Sequence, residues 1–200
     1  MNYIEEVGPV FDNLRLHQDY FKIAKKFEDS ILEHSALNLR KRQCDDDETG
    51  LTYGSGALVD KDGKYFESEA SFDTYNGLLG NSYTLSVLKE IEAIAARDGM
   101  KIGRASYRLL EQRSCLNWHI DFNNTIRYHI PIQTNKGCMF VHENTVSRMD
   151  KLGALYTLNP HVPHTAINAS RKKRVHIVVI AYREEDLIKD MDKAQTVYIE

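Results

Sequence analysis

Apolar positions along the chain fall into two textures, helical spacing in the first half and short alternating runs beyond residue 102. Over residues 13–34, Tyr20, Ile23, Ala24, Phe27 and Ile31 recur every three or four positions. Lys22, Lys25, Lys26 and Glu28 take the other side, which predicts an amphipathic helix packed on a sheet. A second helix is predicted over residues 83–97, where Leu85, Leu88, Ile91 and Ile94/Ala95 form the apolar face. Ser82 is placed to cap its start, and Gly99 sits where a helix commonly ends. Between these helices, residues 35–82 follow no regular period and read as a lid or substrate wall. Asp45-Asp46-Asp47-Glu48 reads as a solvated loop rather than a metal-binding one, because no regular ligand spacing follows it. Gly54-Ser55-Gly56 lacks the Lys-Ser/Thr pair of a phosphate loop. Residues 59–66 read as a hairpin turning at Asp62-Gly63.

Beyond residue 102, β-rich runs occupy 104–110, 116–121, 126–132, 138–142, 153–158, 164–168 and 174–182. Clusters of Asn, Gly, Lys or Pro separate them, with no helix between. That pattern predicts an all-β barrel or jelly roll, mainly β with flanking α-helices. Residues 184–192 read as a closing helix. One domain over 1–200 is expected, with a helical and irregular part to about residue 100 packed on a core at about 102–183.

Composition narrows the function classes. A net charge of −3 gives no electrostatic reason to expect nucleic acid or an anionic membrane as partner. Cys44, Cys115 and Cys138 form no CxxC pair and leave an odd count, which argues for a reduced setting. The acidic start lacks a signal-peptide pattern, and no apolar run reaches the roughly 20 residues of a membrane span. A soluble cytoplasmic protein is expected, its partner a small-molecule or peptide substrate.

The chemistry-bearing residues lie between Trp118 and Arg174. Residues i and i+2 of a strand share a face, so His119 and Asp121 project together. His164 opens a separate strand and would complete two imidazoles and a carboxylate, a set that suits Fe(II) and leaves coordination positions open. An ordinary hydrogen-bonded His–Asp pair is the competing reading. In the run 126–132, Ile126, Tyr128, Ile130 and Ile132 share one face, and Arg127 and His129 the other. Val175, Ile177 and Val179 alternate in the same way with Arg174, His176 and Val178. An inward arginine needs an anion, because an unpaired buried charge costs several kcal/mol. A bound carboxylate would serve; pairing with Glu111 or Glu143, or reaching to the surface, are the alternatives. His161, flanked by Pro160 and Pro163, reads as a turn residue at the barrel mouth. Cys115 and Cys138 read as barrel residues rather than nucleophiles.

Trp118-His119-Ile120-Asp121, Arg127-Tyr128-His129-Ile130-Pro131-Ile132, and His164-Thr165-Ala166-Ile167-Asn168 with Arg174-Val175-His176-Ile177 together resemble the aspartyl/asparaginyl β-hydroxylase-like family of Fe(II)/2-oxoglutarate-dependent oxygenases. The family carries an arginine ten positions after its second iron-binding histidine, as Arg174 follows His164 here. The likeness covers about residues 103–182, and the N-terminal half adds nothing to it. It implies a double-stranded β-helix (jelly-roll, cupin-like) core. It also implies His119, Asp121 and His164 as Fe(II) ligands and catalytic centre. Arg174 would pair with the distal carboxylate of 2-oxoglutarate, Arg127 and His129 would contact this cosubstrate, and Asn168 would support the strand or the cosubstrate pocket. Some family members lack the carboxylate ligand; Asp121 predicts a full triad here.

The function so implied is a dioxygenase that hydroxylates an aliphatic C–H of an amino acid or peptidyl residue. O2 is consumed and 2-oxoglutarate becomes succinate and CO2. The alternatives are a 2-oxoglutarate oxygenase acting on another small molecule or a nucleobase, and a cupin-like metal- or ligand-binding module without turnover. Arg174 argues against the last, which has no evident use for it.

Overall fold

The computed structural model describes residues 3–25, 36–47, 68–121 and 125–187, and the backbone of 197–198. In chain order, β1 (Ile4–Val10) leads into α1 (Asn13–Ala24), then β2 (Ala36–Asn38), β3 (Arg40–Lys41) and β4 (Thr74–Tyr75). Helix α2 (Tyr83–Arg97) precedes β5 (Lys101–Leu110), β6 (Ser114–Cys115), β7 (His119–Ile120) and β8 (Ile126–Gln133). The chain continues through β9 (Cys138–His142), β10 (Thr145–Ser147), β11 (Ala154–Leu158), β12 (His164–Asn168) and β13 (Arg174–Tyr182). A short α3 (Glu184–Leu187) and β14 (Val197–Tyr198) complete the elements among the described residues.

Two antiparallel sheets face each other, as in a jelly roll. One has strand order β1-β11-β8-β13-β5-β2, and the other β10-β9-β12-β7-β14 with β6 paired to β12. The alternation seen in the sequence sets what each face of the first sheet meets. Tyr128, Ile130 and Ile132 of β8, with Val175, Ile177 and Val179 of β13, join Leu16, Tyr20, Leu88 and Ile91 of the helices in the larger core. The opposite faces of the same strands turn into the barrel. All nine residues of β13 are buried as a result, which is why that strand reads as almost continuously apolar.

Both helices are capped as their sequences require. Asp12 accepts from the Leu14 and Arg15 amides at the start of α1, and Ser82 from Leu85 at the start of α2. Asp19 ties the helices together by accepting from the Thr84 amide and hydroxyl at 2.8 and 3.1 Å. The Thr84 hydroxyl also meets Tyr107 of β5 at 2.8 Å. Gly153 turns the chain into β11 at φ +76, and a Cβ there would lie 2.2 Å from the Phe11 carbonyl oxygen. No larger residue fits.

The first half is less helical than expected, because β1 and β2 belong to the main sheet. Strand β1 is an edge strand carrying two glutamates, a glycine and a proline, so it lacks a strand period. Of the expected run at 116–121, only His119–Ile120 is strand (β7); β6 precedes the run and Asp121 lies just past β7. The aspartate cluster is not a free solvated loop. Asp45 pairs with Arg42 at 2.8 Å, while Asp47 accepts from the Gly77 amide at 2.9 Å and pairs with Lys41. The described parts of 35–82 build the sheet edge, with Leu37, Leu39 and Leu79 in the helix-side core. Glu69 there receives the Arg104 amide at 3.0 Å and its guanidinium at 2.9 and 2.5 Å. Described helix α1 ends at Ala24 and α3 at Leu187. Phe27, Ile31, the expected hairpin, Gly54-Ser55-Gly56 and residues 188–192 lie outside the described residues. No helix among those described is long and apolar enough to cross a membrane.

Ile91 is fully buried where α2 meets the sheet. Ile91→Ala is expected to lower unfolding stability by about 2–5 kcal/mol through lost transfer energy and the residual cavity. Chemical denaturation checks this, and an unchanged midpoint would contradict the packing.

Candidate metal centre

Three histidines line up across adjacent strands of the second sheet. In register, His164 of β12 pairs with His119 of β7 on one side and with His142 of β9 on the other. The His164 ring centroid lies 4.3 Å from that of His119 and 5.6 Å from that of His142. Asp121 follows β7, its amide donating to the Pro160 carbonyl at 3.0 Å. Its Oδ1 sits 3.7 Å from His119 Nε2. One donor atom from each of His119, Asp121 and His164 lies within 4.8 Å of the others. The sequence-predicted triad is therefore assembled in space.

The tautomers follow from what each ring touches. His119 Nδ1 is 2.7 Å from the Asn117 carbonyl, and His164 Nδ1 is 2.9 Å from the Val162 carbonyl. A carbonyl only accepts, so both Nδ1 atoms carry the proton and both Nε2 atoms present lone pairs to the cluster. His164 Nε2 is buried without a hydrogen-bond partner. Burial, then His119, push the His164 pKa down to about 3. Burial also lowers His119, with Arg127 adding to the effect. Two neutral imidazoles and a carboxylate on converging elements fit a divalent cation.

The interior beyond the triad is cationic. Arg127 forms an ion pair with Asp121. Arg174, 4% exposed, lies with its guanidinium carbon 5.0 Å from the Phe140 ring centroid, and its Nε and one terminal nitrogen have no hydrogen-bond partner. Its other candidate partners are engaged elsewhere. Glu111 pairs with Lys173 at 2.9 Å, and Glu143 accepts from Tyr3 at 2.6 Å. Burial lowers the Arg174 pKa to about 10, so the group stays charged at neutral pH.

Around Phe140 stand the rings of His129, His142 and His176, at 5.5, 6.4 and 6.1 Å between centroids. Both ring nitrogens of all three are buried and without partners. Burial holds His129 and His176 well below the ordinary histidine value, and Arg174 reinforces it in both. Tyr3 stacks on His142 at 5.2 Å and 7°.

Sequence reasoning did not single out His142, nor assign His176 a role. Strand alternation carried the signal for both, since His142 lies two positions after Phe140 and His176 two after Arg174. Of the two supporting roles expected for Asn168, the strand is the one its contacts serve: the two N–H groups of its amide are shared among the Leu110, Glu111 and Lys172 carbonyls at 3.0, 2.9 and 2.8 Å. His161 is exposed beside its turn, its amide donating to Asn159. Trp118 is 37% exposed. Cys138 is buried, whereas Cys115 is exposed on short β6.

A family model described as aspartyl/asparaginyl beta-hydroxylase matches residues 81–184. The chain belongs to the aspartyl/asparaginyl β-hydroxylase family. That span runs from the cap of α2 to α3 and contains the whole triad and Arg174. Membership makes the protein a hydroxylase-type oxygenase of cupin-like fold. No curated protein matches the sequence. Among solved structures, AviO1 from Streptomyces viridochromogenes Tue57 is 15% identical, with a TM-score of 0.55 over 92% of this chain and 91% of that one. EvdMO1 is also 15% identical, with a TM-score of 0.54 over 90% of this chain and 47% of that one. The hydroxylase-family chain thus spans about half the length of EvdMO1. At these identities the likeness shows the shared fold.

The buried histidines predict acid sensitivity in the metal-free protein. His129, His164 and His176 all have folded pKa values below the ordinary 6.5, so the unfolded state takes up protons first as pH falls. Stability should be flat above pH 6.5 and decline below it, towards the His164 value of about 3. Urea midpoints measured across this range test the point. Equal midpoints on either side of pH 6.5, down through the histidine range, would contradict the burial of these rings.

Proposed function

We propose that the protein is an Fe(II)- and 2-oxoglutarate-dependent hydroxylase acting on an aliphatic C–H bond of an amino acid, free or within a peptide. The observation that carries this reading is Arg174, a charged guanidinium buried without an acid, in the same barrel as a His-Asp-His cluster. The substrate class rests on the family's description alone.

His119, Asp121 and His164 would hold Fe(II). Arg174 would grip the distal carboxylate of 2-oxoglutarate through the nitrogens that lack partners. When bound, the iron supplies O2 activation: one oxygen atom enters the substrate C–H, the other enters succinate, and CO2 is released. The chain's part is to bind, orient and exclude water. Backbone carbonyls on both Nδ1 atoms fix the planes of the two ligand rings. Arg127 holds the Asp121 carboxylate by its ion pair and, with His129, would contact the cosubstrate. Phe140 and the neutral histidines keep the interior poor in water, where Arg174 attracts an anion more strongly than a surface arginine would.

Purified protein with Fe(II), ascorbate, O2 and 2-oxoglutarate should form succinate, stimulated by some member of a panel of amino acids and peptides. His119→Ala is expected to abolish turnover, and Arg174→Ala to cut kcat/KM for 2-oxoglutarate by roughly a hundredfold or more, the scale of a lost charged pair. Failure of 2-oxoglutarate to bind the Mn(II)-loaded protein would refute the assignment.

Arg174→Met carries a second, oppositely signed expectation. Replacing an uncompensated buried charge with an apolar chain should raise metal-free stability by about 1–4 kcal/mol. The same variant should lose 2-oxoglutarate binding. Calorimetry and denaturation on one preparation read both, and a destabilised variant would show that Arg174 has an internal partner.

A further inference from the structure

The proposed chemistry accounts for Arg174, Arg127 and His129, but leaves His176 unused. His176 is 1% exposed, and neither ring nitrogen has a partner. It lies two residues after Arg174 on β13, so the two side chains leave the same face about 7 Å apart along the strand. They share one neighbour, the Phe140 ring, with Arg174 at 5.0 Å and His176 at 6.1 Å. His129 meets His176 edge-on at 5.8 Å.

Packing alone does not account for an imidazole here. Val178, the next residue on the same face, is buried there without polar side-chain atoms. An unsatisfied imidazole costs desolvation energy that a valine does not. The same face also carries the guanidinium whose free N–H groups call for a carboxylate. A carboxylate offers about four acceptor sites, more than the side of one guanidinium fills. A neutral imidazole has one N–H to give and adds no charge to a region already cationic.

We propose that His176 is a second donor to the carboxylate held by Arg174, so that the distal end of the cosubstrate is bound by a two-residue clamp on one strand. This rests on the 2-oxoglutarate reading of the site. Its test is calorimetric titration of the Mn(II)-loaded full chain with 2-oxoglutarate, in the wild type, His176→Phe and His176→Asn. His176→Phe keeps the ring and removes the donor; it should weaken 2-oxoglutarate about tenfold or more while Mn(II) affinity is unchanged. His176→Asn, which restores an N–H, should recover most of the loss. The inference is overturned if His176→Phe binds 2-oxoglutarate within about twofold of wild type. It is equally overturned if Mn(II) affinity falls with it, or if His176→Asn binds no better than His176→Phe. A wild-type Mn(II) protein that binds no 2-oxoglutarate overturns the cosubstrate reading itself, which separates the two failures.

Discussion

An arginine buried without an acid is the constraint on which the interior of this barrel turns. Leaving a charge in a protein interior costs several kcal/mol even after relaxation. Among the described residues, the Phe140 face, 5.0 Å from the guanidinium carbon, offers part of the compensation. A cation–π contact is worth about 0.5–2 kcal/mol. The cost therefore exceeds the compensation, and a folded chain that keeps Arg174 inside has its free energy lowered when an anion arrives. Flexibility offers little relief, because β13 is held on both edges, by β5 and β8. The guanidinium cannot leave without a central strand.

The same strands that create this cost also supply the stability that tolerates it. Each residue pair along β8 and β13 sends one side chain to the helices and one into the barrel. Val175, Ile177 and Val179 bury fully against α1, α2 and their neighbours, while Arg174 and His176 occupy the other face. At roughly 25 cal/mol per Å² of apolar surface, a few fully buried aliphatic side chains outweigh the polar cost of the inner face. Alternation thus separates the labour of folding from that of binding at the level of single residues. Asn168 plays a related part at the barrel's end, where its two N–H groups, shared among carbonyls of β5, the turn after it and the 168–172 turn, fix the start of β13.

What was legible in the sequence follows from the range of the forces involved. Helix α2 could be read to its first and last residues because its cap, apolar stripe and terminal glycine are all local. The grouping of His119, Asp121 and His164 could be read because the i, i+2 spacing put His119 and Asp121 on one side, although Asp121 lies just past β7, and the family resemblance tied His164 to Arg174. Strands β1 and β2 could not be read. The first is an edge strand of polar and turn-forming residues, and the second is three residues long. Both exist because a partner strand offers hydrogen bonds, which no local pattern announces. The Arg127–Asp121 pair escaped for the same reason, since the sequence shows an inward cation without showing what it meets.

Charge accounting connects that pair to the proposed chemistry. Arg127 and Asp121 cancel, so among the described residues the positive surplus sits on Arg174, with Arg108 opposite His176 on β5 adding to it. A divalent cation alone at the triad would add two charges to that surplus in a region of low dielectric. A dianion alone would bring two negative charges towards the Asp121 carboxylate. Added together, the two leave the starting balance unchanged, and each lowers the electrostatic cost of the other. On the proposed reading, metal and cosubstrate therefore bind with mutual reinforcement. The neutral state of His129, His142 and His176 is part of the reason: protonating any of them would add a cation that the dianion has no further charge to match.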